Sequence, residues 1–176
     1  MKERAAGVFL HPTSLPSPFG IGDLGQDAIG WLDLLRRFDH TYWQVCPLSP
    51  TGFGDSPYQS LSSFAGNPLL ISPARLVEDG LLAQADLDDY PRLPEDRVDF
   101  GAVSDAKDRL FRKAFARFDD SGAFRAFCRQ ERSWLEDYAR FRVLKDLHGG
   151  RSWTEWADGY RLRRHKCLRE LATAHG

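Results

Sequence analysis

Apolar and polar positions alternate in period along the chain, and the changes of period mark its elements. Residues 6–10 (AGVFL) form a short apolar run closed by His11-Pro12, which predicts a buried strand. Residues 26–38 (QDAIGWLDLLRRF) place Ala28, Trp31, Leu32, Leu35 and Phe38 at helical spacing. Asp27 near the start and Arg36-Arg37 near the end suit the helix dipole. Residues 42–48 (YWQVCPL) predict a second strand, closed by Pro47. Strand, helix and strand in this order make a βαβ unit with parallel strands and a right-handed crossover.

The pattern then changes. Residues 51–68 are rich in Gly, Ser, Pro and aromatics and have neither period, which predicts a loop. Residues 73–80 read as a short helix ending at Gly80, and the acidic stretch 86–99 as a surface loop. Residues 104–118 predict a helix with Ser104 as its N-cap and Leu110, Phe111, Ala114, Phe115 and Phe118 on one face. Residues 122–147 predict a longer helix striped by Phe124, Phe127, Trp134, Tyr138 and Phe141. Glu131 falls in the gap of that stripe, as either a paired, half-buried acid or an exposed one. A last amphipathic helix is expected over 160–175.

Two parallel strands are too few for a sheet buried on both faces, as parallel strands require. A complete (β/α)8 barrel takes about 250 residues, and the chain has 176. The expected class is therefore α/β: the opening βαβ part of a (β/α)8 TIM barrel plus a mostly helical inserted subdomain, with the barrel incomplete. The expected organisation is residues 1–50 as the first βαβ unit and 51–176 as loop and helical subdomain, the rest of the barrel being absent.

Composition narrows the partners. With 24 basic and 25 acidic residues the net charge is −1, so no global field attracts nucleic acid or anionic lipid. The one basic run, 161–169 (RLRRHKCLR), reads as a solvated helix face. Cys46, Cys128 and Cys167 form no CxxC pair and have no His at ligand spacing, so neither a zinc site nor a disulfide framework is expected. No signal-peptide core and no apolar run of membrane-spanning length stands in the sequence, which predicts a cytoplasmic chain.

Loops that follow strand C-termini build the active site of a barrel. Here they are 11–25 (HPTSLPSPFGIGDLG), turn-rich with Pro and Gly, and 51–68. The second offers flat faces in Phe53 and Tyr58. It also offers hydrogen-bonding groups in Ser56, Gln59, Ser60, Ser62 and Asn67 that match sugar hydroxyls. Asp55-Ser56-Pro57 is equally an ordinary turn signature, and Gly52 and Gly54 permit tight turns.

The strings GVFLHPTSLPSPFGIGDLG and YWQVCPLSPTGFGDSPYQSLSSFAGNPLLISP resemble the N-terminal signatures of the 4-α-glucanotransferases (amylomaltases or disproportionating enzymes, glycoside hydrolase family 77). The similarity continues through RVDFG at 97–101, WLEDYARF at 134–141 and LKDLHGGRSWTEW at 144–156. It implies a hexosyltransferase that moves a segment of α-1,4-glucan to the 4-hydroxyl of glucose or another glucan by a retaining double displacement. An Asp would act as nucleophile, a Glu as acid and base, and a further Asp would hold the sugar strained. No metal or organic cofactor is implied, and malto-oligosaccharides are the implied partners.

Residue by residue, Ser56 and Tyr58 match family positions that contact glucose near the cleavage point, and Asp55 and Gln59 positions that brace the loop. Phe53 matches an aromatic of an outer glucan surface; Ser104, which has no ring to stack, stands where the partner aromatic falls. His11, Pro12 and Ser14 read as structural, and Asp23 as a helix-starting residue. The catalytic carboxylates are expected beyond residue 176, so none of Asp23, Asp55, Glu131 or Asp137 takes their role. Ala157 replaces an expected proline, and 158–176 resembles the family only loosely. The expected fragment is inactive by itself. The alternatives are a non-catalytic maltodextrin-binding module and a helical interaction protein using the faces of 104–118 and 122–147.

Overall fold

The computed structural model describes residues 4–175, so residues 1–3 and 176 of the expected domains lie outside the described residues. The chain divides into two compact units between Asp119 and Asp120.

The first unit opens with strand β1 (Gly7–Phe9), helix α1 (Gln26–Arg37) and strand β2 (Tyr42–Gln44). β1 and β2 pair in parallel, with Gly7 opposite Tyr42, Val8 opposite Trp43 and Phe9 opposite Gln44. The strands are shorter than their apolar runs, because the ladder between two neighbours ends where the chains diverge into loops. Leu10 N–H still donates to the Gln44 carbonyl at 3.1 Å, and the Trp43 indole donates to the Leu10 carbonyl at 2.6 Å. Gly7 is required by closeness: a Cβ there would lie 2.7 Å from the Tyr42 carbonyl oxygen. α1 buries Ala28 and Leu35, begins one residue after Gly25, whose N–H is held by Asp23 Oδ1 at 2.9 Å, and ends before Asp39 in the left-handed region.

Beyond β2 the unit is helical: α2 (Pro73–Glu78), α3 (Gln84–Asp88) and α4 (Phe100–Ala116). Gly80, with φ +74°, reverses the chain after α2 as expected. The acidic stretch is not all loop. Asp86 accepts the Ala83 N–H at 2.9 Å and starts α3, and the Arg117 guanidinium and the Lys113 ammonium hold its carboxyl well below the usual range.

Two further expectations are corrected in this unit. α4 begins at Phe100, where Asp99 Oδ1 accepts the Ala102 N–H at 3.0 Å; Ser104 lies inside the helix and caps nothing. The buried stripe is Val103, Ala106, Lys107, Leu110 and Ala114, which turns Phe115 outward to 76% exposure. Leu82, Leu110 and Ala114 centre the core, with Leu76, Val77, Leu81, Leu87 and Tyr90 around them.

The second unit contains α5 (Gly122–Gln130), α6 (Leu135–Leu147), α7 (Asp158–Arg161) and α8 (His165–His175). The single helix expected over 122–147 is broken. Ser121 Oγ caps α5, while Glu131 ends it and accepts the Trp134 indole N–H at 2.7 Å. Glu131 is therefore the paired, half-buried acid. The helix expected over 160–175 is also interrupted, at Arg163 with φ +52°. Leu144, Trp156 and Leu171 form the core, with Phe141, Val143 and Tyr160 packed on it. The observed fold is α-rich with one small parallel sheet, and no helix among the described residues is long and apolar enough to cross a membrane.

Candidate functional site

Both loops singled out in the sequence leave the C-terminal ends of parallel strands. The loop after β1 is packed inward. It starts with a 3-10 turn at Pro12–Ser14 and buries Pro12, Leu15, Phe19 and Ile21. At Gly22 a Cβ would approach the Pro12 carbonyl oxygen to 2.0 Å, so the backbone crosses itself where only glycine fits. Phe19 meets Tyr90 edge-on at 5.3 Å between centroids, and the Tyr90 hydroxyl donates to the Phe19 carbonyl at 3.1 Å. Burial pushes the Tyr90 phenol up to about 12 and lowers the His11 imidazole, whose Nδ1 is buried without a partner. These contacts describe a support and leave few groups for a ligand.

The loop after β2 has an anchored base and an exposed tip. Gly52 N–H donates to the Gln59 carbonyl at 2.7 Å, and Leu61 N–H to the Pro50 carbonyl at 3.0 Å. Thr51 and Ser60 form an antiparallel bridge between them. Below, Asn67 N–H reaches back to the Leu48 carbonyl at 2.8 Å, and the Asn67 side chain caps the next turn by accepting the Leu69 N–H at 3.0 Å.

Lys107 closes the base from α4. Its Nζ donates to the carbonyls of Leu69 at 2.6 Å and Ile71 at 2.9 Å and faces Asp23 Oδ2 at 3.6 Å. Burial lowers the ammonium to about 8, against the attraction of Asp23. Burial likewise raises the Asp23 carboxyl, while Lys107 and the hydrogen bonds from Ser72 and Gly25 pull it down. The sequence did contain a signal for this: Lys107 sits within the apolar stripe, four residues after Val103 and three before Leu110. Lys usually snorkels to solvent from such a place, whereas here buried carbonyls and Asp23 hold its head group.

At the tip, Gly54 with φ +66° and Asp55 with φ +53° turn the chain through the left-handed region. This brings Phe53, Asp55, Ser56, Tyr58 and Gln59 onto one short excursion. Phe53 is 90% and Tyr58 74% exposed. Ser56 Oγ accepts the Tyr58 N–H at 3.3 Å, and the Tyr58 hydroxyl lies 3.8 Å from Cys46 Sγ at the foot of the loop. That contact raises the phenol above its ordinary value, and a neutral phenol can both donate and accept. Gln59 holds the loop through its backbone, donating its N–H to the Ser56 carbonyl at 3.0 Å, and its side chain is exposed.

Chemically, this tip carries groups of the kind that can meet a ligand. Two exposed rings can lie against the apolar C–H faces of a sugar, and neutral hydroxyls and an amide can bond its hydroxyls. Asp23 is the one buried carboxylate among the described residues, and Lys107 neutralises it. Glu131 is engaged by Trp134, and Asp137 by Arg163 at 2.6 Å, so neither stands free for acid–base work. No group of three or more His, Cys, Asp or Glu residues able to hold a metal occurs among the described residues. A cavity of about 340 Å³ lies within the second unit against Phe141, Trp153, Trp156 and Tyr160, and its floor is that unit's core.

The profile of the 4-alpha-glucanotransferase family (glycoside hydrolase family 77) matches residues 10–176. The match therefore includes 158–176, where the motif resemblance is loose. The 4-alpha-glucanotransferase of Thermus thermophilus is 46% identical over 97% of this chain and 35% of its own length. The chloroplastic/amyloplastic 4-alpha-glucanotransferase of Solanum tuberosum is 40% identical over 96% of this chain and 31% of its own. Among solved structures, the amylomaltase from Streptococcus agalactiae in complex with acarbose superposes with a TM-score of 0.88 at 34% identity, over 96% of this chain and 35% of that one. The chain thus spans about a third of the length of the curated relatives it matches.

Proposed function

The chain belongs to the 4-alpha-glucanotransferase family, glycoside hydrolase family 77, and from that premise we propose that it forms the glucan-holding part of such an enzyme. The reaction of the whole protein is transfer of an α-1,4-glucan segment to the 4-hydroxyl of glucose or another α-1,4-glucan. It proceeds with retention, through a glycosyl-enzyme intermediate on one carboxylate while a second carboxyl group acts as acid and then base. Such a site needs two carboxyl groups about 5 Å apart. Asp23, Glu131 and Asp137 are engaged by Lys107, Trp134 and Arg163, and the family resemblance assigns the bond-breaking groups to other barrel strands. Its βαβ unit is the opening of the (β/α)8 barrel, and it works in the cytoplasm.

The carrying observation is the fixed base and open tip of the loop at 51–68. Tyr58 stacks on a glucose unit and bonds it through its neutral hydroxyl. Ser56 supplies a second hydroxyl, Phe53 extends the apolar contact along the glucan, and Asp55 and Gln59 shape the turn. Rings on a braced loop lose little freedom on binding, which favours affinity for a flexible oligosaccharide.

Isothermal titration of the 176-residue chain with maltoheptaose is the direct test. Weak binding is expected, and Tyr58→Ala and Phe53→Ala should each abolish it. Incubation with maltotriose should release no glucose. Absence of binding by the unaltered chain would remove the glucan-holding role, and glucose release would show that the chain is catalytic by itself.

A further inference from the structure

The cavity of the second unit, about 340 Å³, is built from α6, the 3-10 turn at Trp153–Glu155, α7 and α8. Trp156 packs there against Phe141 and His148, with ring centroids 5.7 and 5.4 Å apart. It is only 6% exposed, yet its indole N–H is buried with no hydrogen-bond partner among the described residues. The Nε–H of Arg140, in the same lining, is buried without a partner as well. A buried donor without an acceptor is costly, and in native structures it is uncommon. Trp153, by contrast, offers an indole that is 53% exposed.

The lining is lopsided in charge. Arg140, Arg161 and Arg163 stand against one lining carboxylate, Asp137, among the described residues. Asp137 is already held by Arg163 at 2.6 Å and approached by Arg140 at 3.6 Å. Arg161 pairs with Asp158 at 2.7 Å, and Arg140 with Glu136. A guanidinium has five N–H donors, so these pairs leave donors over. Arg163 also sits at φ +52°, a conformation that costs a residue with a side chain and clusters at ligand sites. The imbalance extends to the whole unit: residues 120–176 hold 12 Lys and Arg against 8 Asp and Glu, a net charge of +4, while the chain as a whole carries −1.

We propose that this cavity is a binding site for a nucleoside monophosphate, with the base against Trp153 and the phosphate on Arg161 and Arg163. A lining rich in donors and poor in acceptors selects this class. A neutral glucan brings hydroxyl donors that need acceptors, and the one lining carboxylate is engaged. A phosphate group brings three acceptor oxygens, which suit more than one guanidinium. A flat base stacks on an indole through its π face, and inorganic phosphate leaves that ring and the apolar floor unused. The volume lies at the small end of the range for small-molecule pockets, which fits one compact ligand. The basic run 161–169 thereby carries two arginines of a site besides its solvated positions.

Isothermal titration of the 176-residue chain with AMP, adenosine, glucose 1-phosphate and inorganic phosphate tests this. AMP should bind, and each of the other three should bind about tenfold more weakly or worse, each lacking a charged hydrogen bond or a base stack. Trp153→Ala and Arg163→Gln should each weaken AMP by a similar factor. Arg169→Gln, in the same basic run but outside the lining, should leave AMP binding unchanged. Circular dichroism identifies any variant that fails to fold, and Arg161→Gln then takes the place of Arg163→Gln. No binding of AMP at millimolar concentration would overturn the proposal. So would equal affinity for glucose 1-phosphate or inorganic phosphate, or an equal loss with Arg169→Gln. Glucan is absent from these titrations, so the outcome is separate from that of the loop at 51–68.

Discussion

Lys107 and Asp23 face each other at 3.6 Å with side chains only 0% and 7% exposed, and their contact joins three distant pieces of sequence. Asp23 ends the loop after β1 and holds the Gly25 N–H at the start of α1. Lys107 lies in mid-α4 and reaches the Leu69 and Ile71 carbonyls just beyond the candidate sugar-facing loop. One ammonium group thereby sets the position of both loops that leave the strand ends. Isolated buried ions are strongly disfavoured, and this pair persists because hydrogen bonds surround it.

Removing the ammonium should be costly. Lys107→Met leaves a buried carboxylate and two carbonyls without their donor, a loss of about 3–5 kcal/mol by comparison with other broken buried pairs. Urea unfolding followed by circular dichroism should show a much lower midpoint. The double variant Lys107→Met with Asp23→Asn should recover part of the loss, because the uncompensated charge is gone. If Lys107→Met left the midpoint unchanged, the clamp would have no mechanical importance.

The same pair sets a pH dependence. Burial lowers Lys107 from 10.5 to about 8 in the folded state. Between those values the unfolded chain binds more protons than the folded one, so stability rises with pH. Asp23 acts oppositely in acid: its raised folded value makes stability fall as pH climbs through its titration. Urea midpoints from pH 8 to 10 should increase for the unaltered protein relative to Lys107→Met. Parallel curves for the two proteins would contradict this account.

Two glycines should respond in opposite directions to the same substitution. Gly30, in α1, has no atom within 4 Å of an added Cβ, so Gly30→Ala should stabilise by about 0.5–1 kcal/mol through helix propensity. Gly22→Ala would push a methyl to 2.0 Å from the Pro12 carbonyl oxygen and should destabilise severely or prevent folding. Thermal melts of both variants decide the matter.

At the loop tip, Tyr58→Phe removes the hydroxyl near Cys46 and keeps the ring. A lost hydrogen bond of about 1 kcal/mol corresponds to roughly fivefold weaker maltoheptaose binding, and Tyr58→Ala should lose more. Cys46→Ala keeps the hydroxyl and should weaken binding less than Tyr58→Phe does. Titration calorimetry at neutral pH gives this order directly, and equal affinities for all three variants would remove Tyr58 from the binding surface.

Much of this organisation was readable from patterning. The βαβ unit, α1, the reversal at Gly80 and the two loops after the strands all follow from periodicity and punctuation. What escaped was tertiary. Ser104 is as good a cap by type as Asp99, and only burial of Val103 and Ala106 extends α4 back to Phe100. The stripe through Phe115 looked apolar, yet a charged Lys107 occupies its buried centre because partners 36 and 38 residues away satisfy it. Glu131 broke a seemingly continuous helix through its bond with Trp134, a contact that composition does not reveal. At the loop, the sequence supplied the residue types, but the contact of Tyr58 with Cys46 depends on how the chain returns to the foot of β2.

The bonds that close the tip at Gly52, Gln59 and the Thr51–Ser60 bridge are backbone contacts. A Cβ at Gly52 would come within 2.7 Å of the Gln59 carbonyl oxygen, so that glycine is fixed by geometry. Side chains at 53, 56 and 58 add to this only the Ser56–Tyr58 hydrogen bond and the Tyr58–Cys46 contact. The tip thus rests on a backbone foundation, so exchanging Phe53, whose side chain is 90% exposed, should change what the loop can hold while leaving that foundation in place.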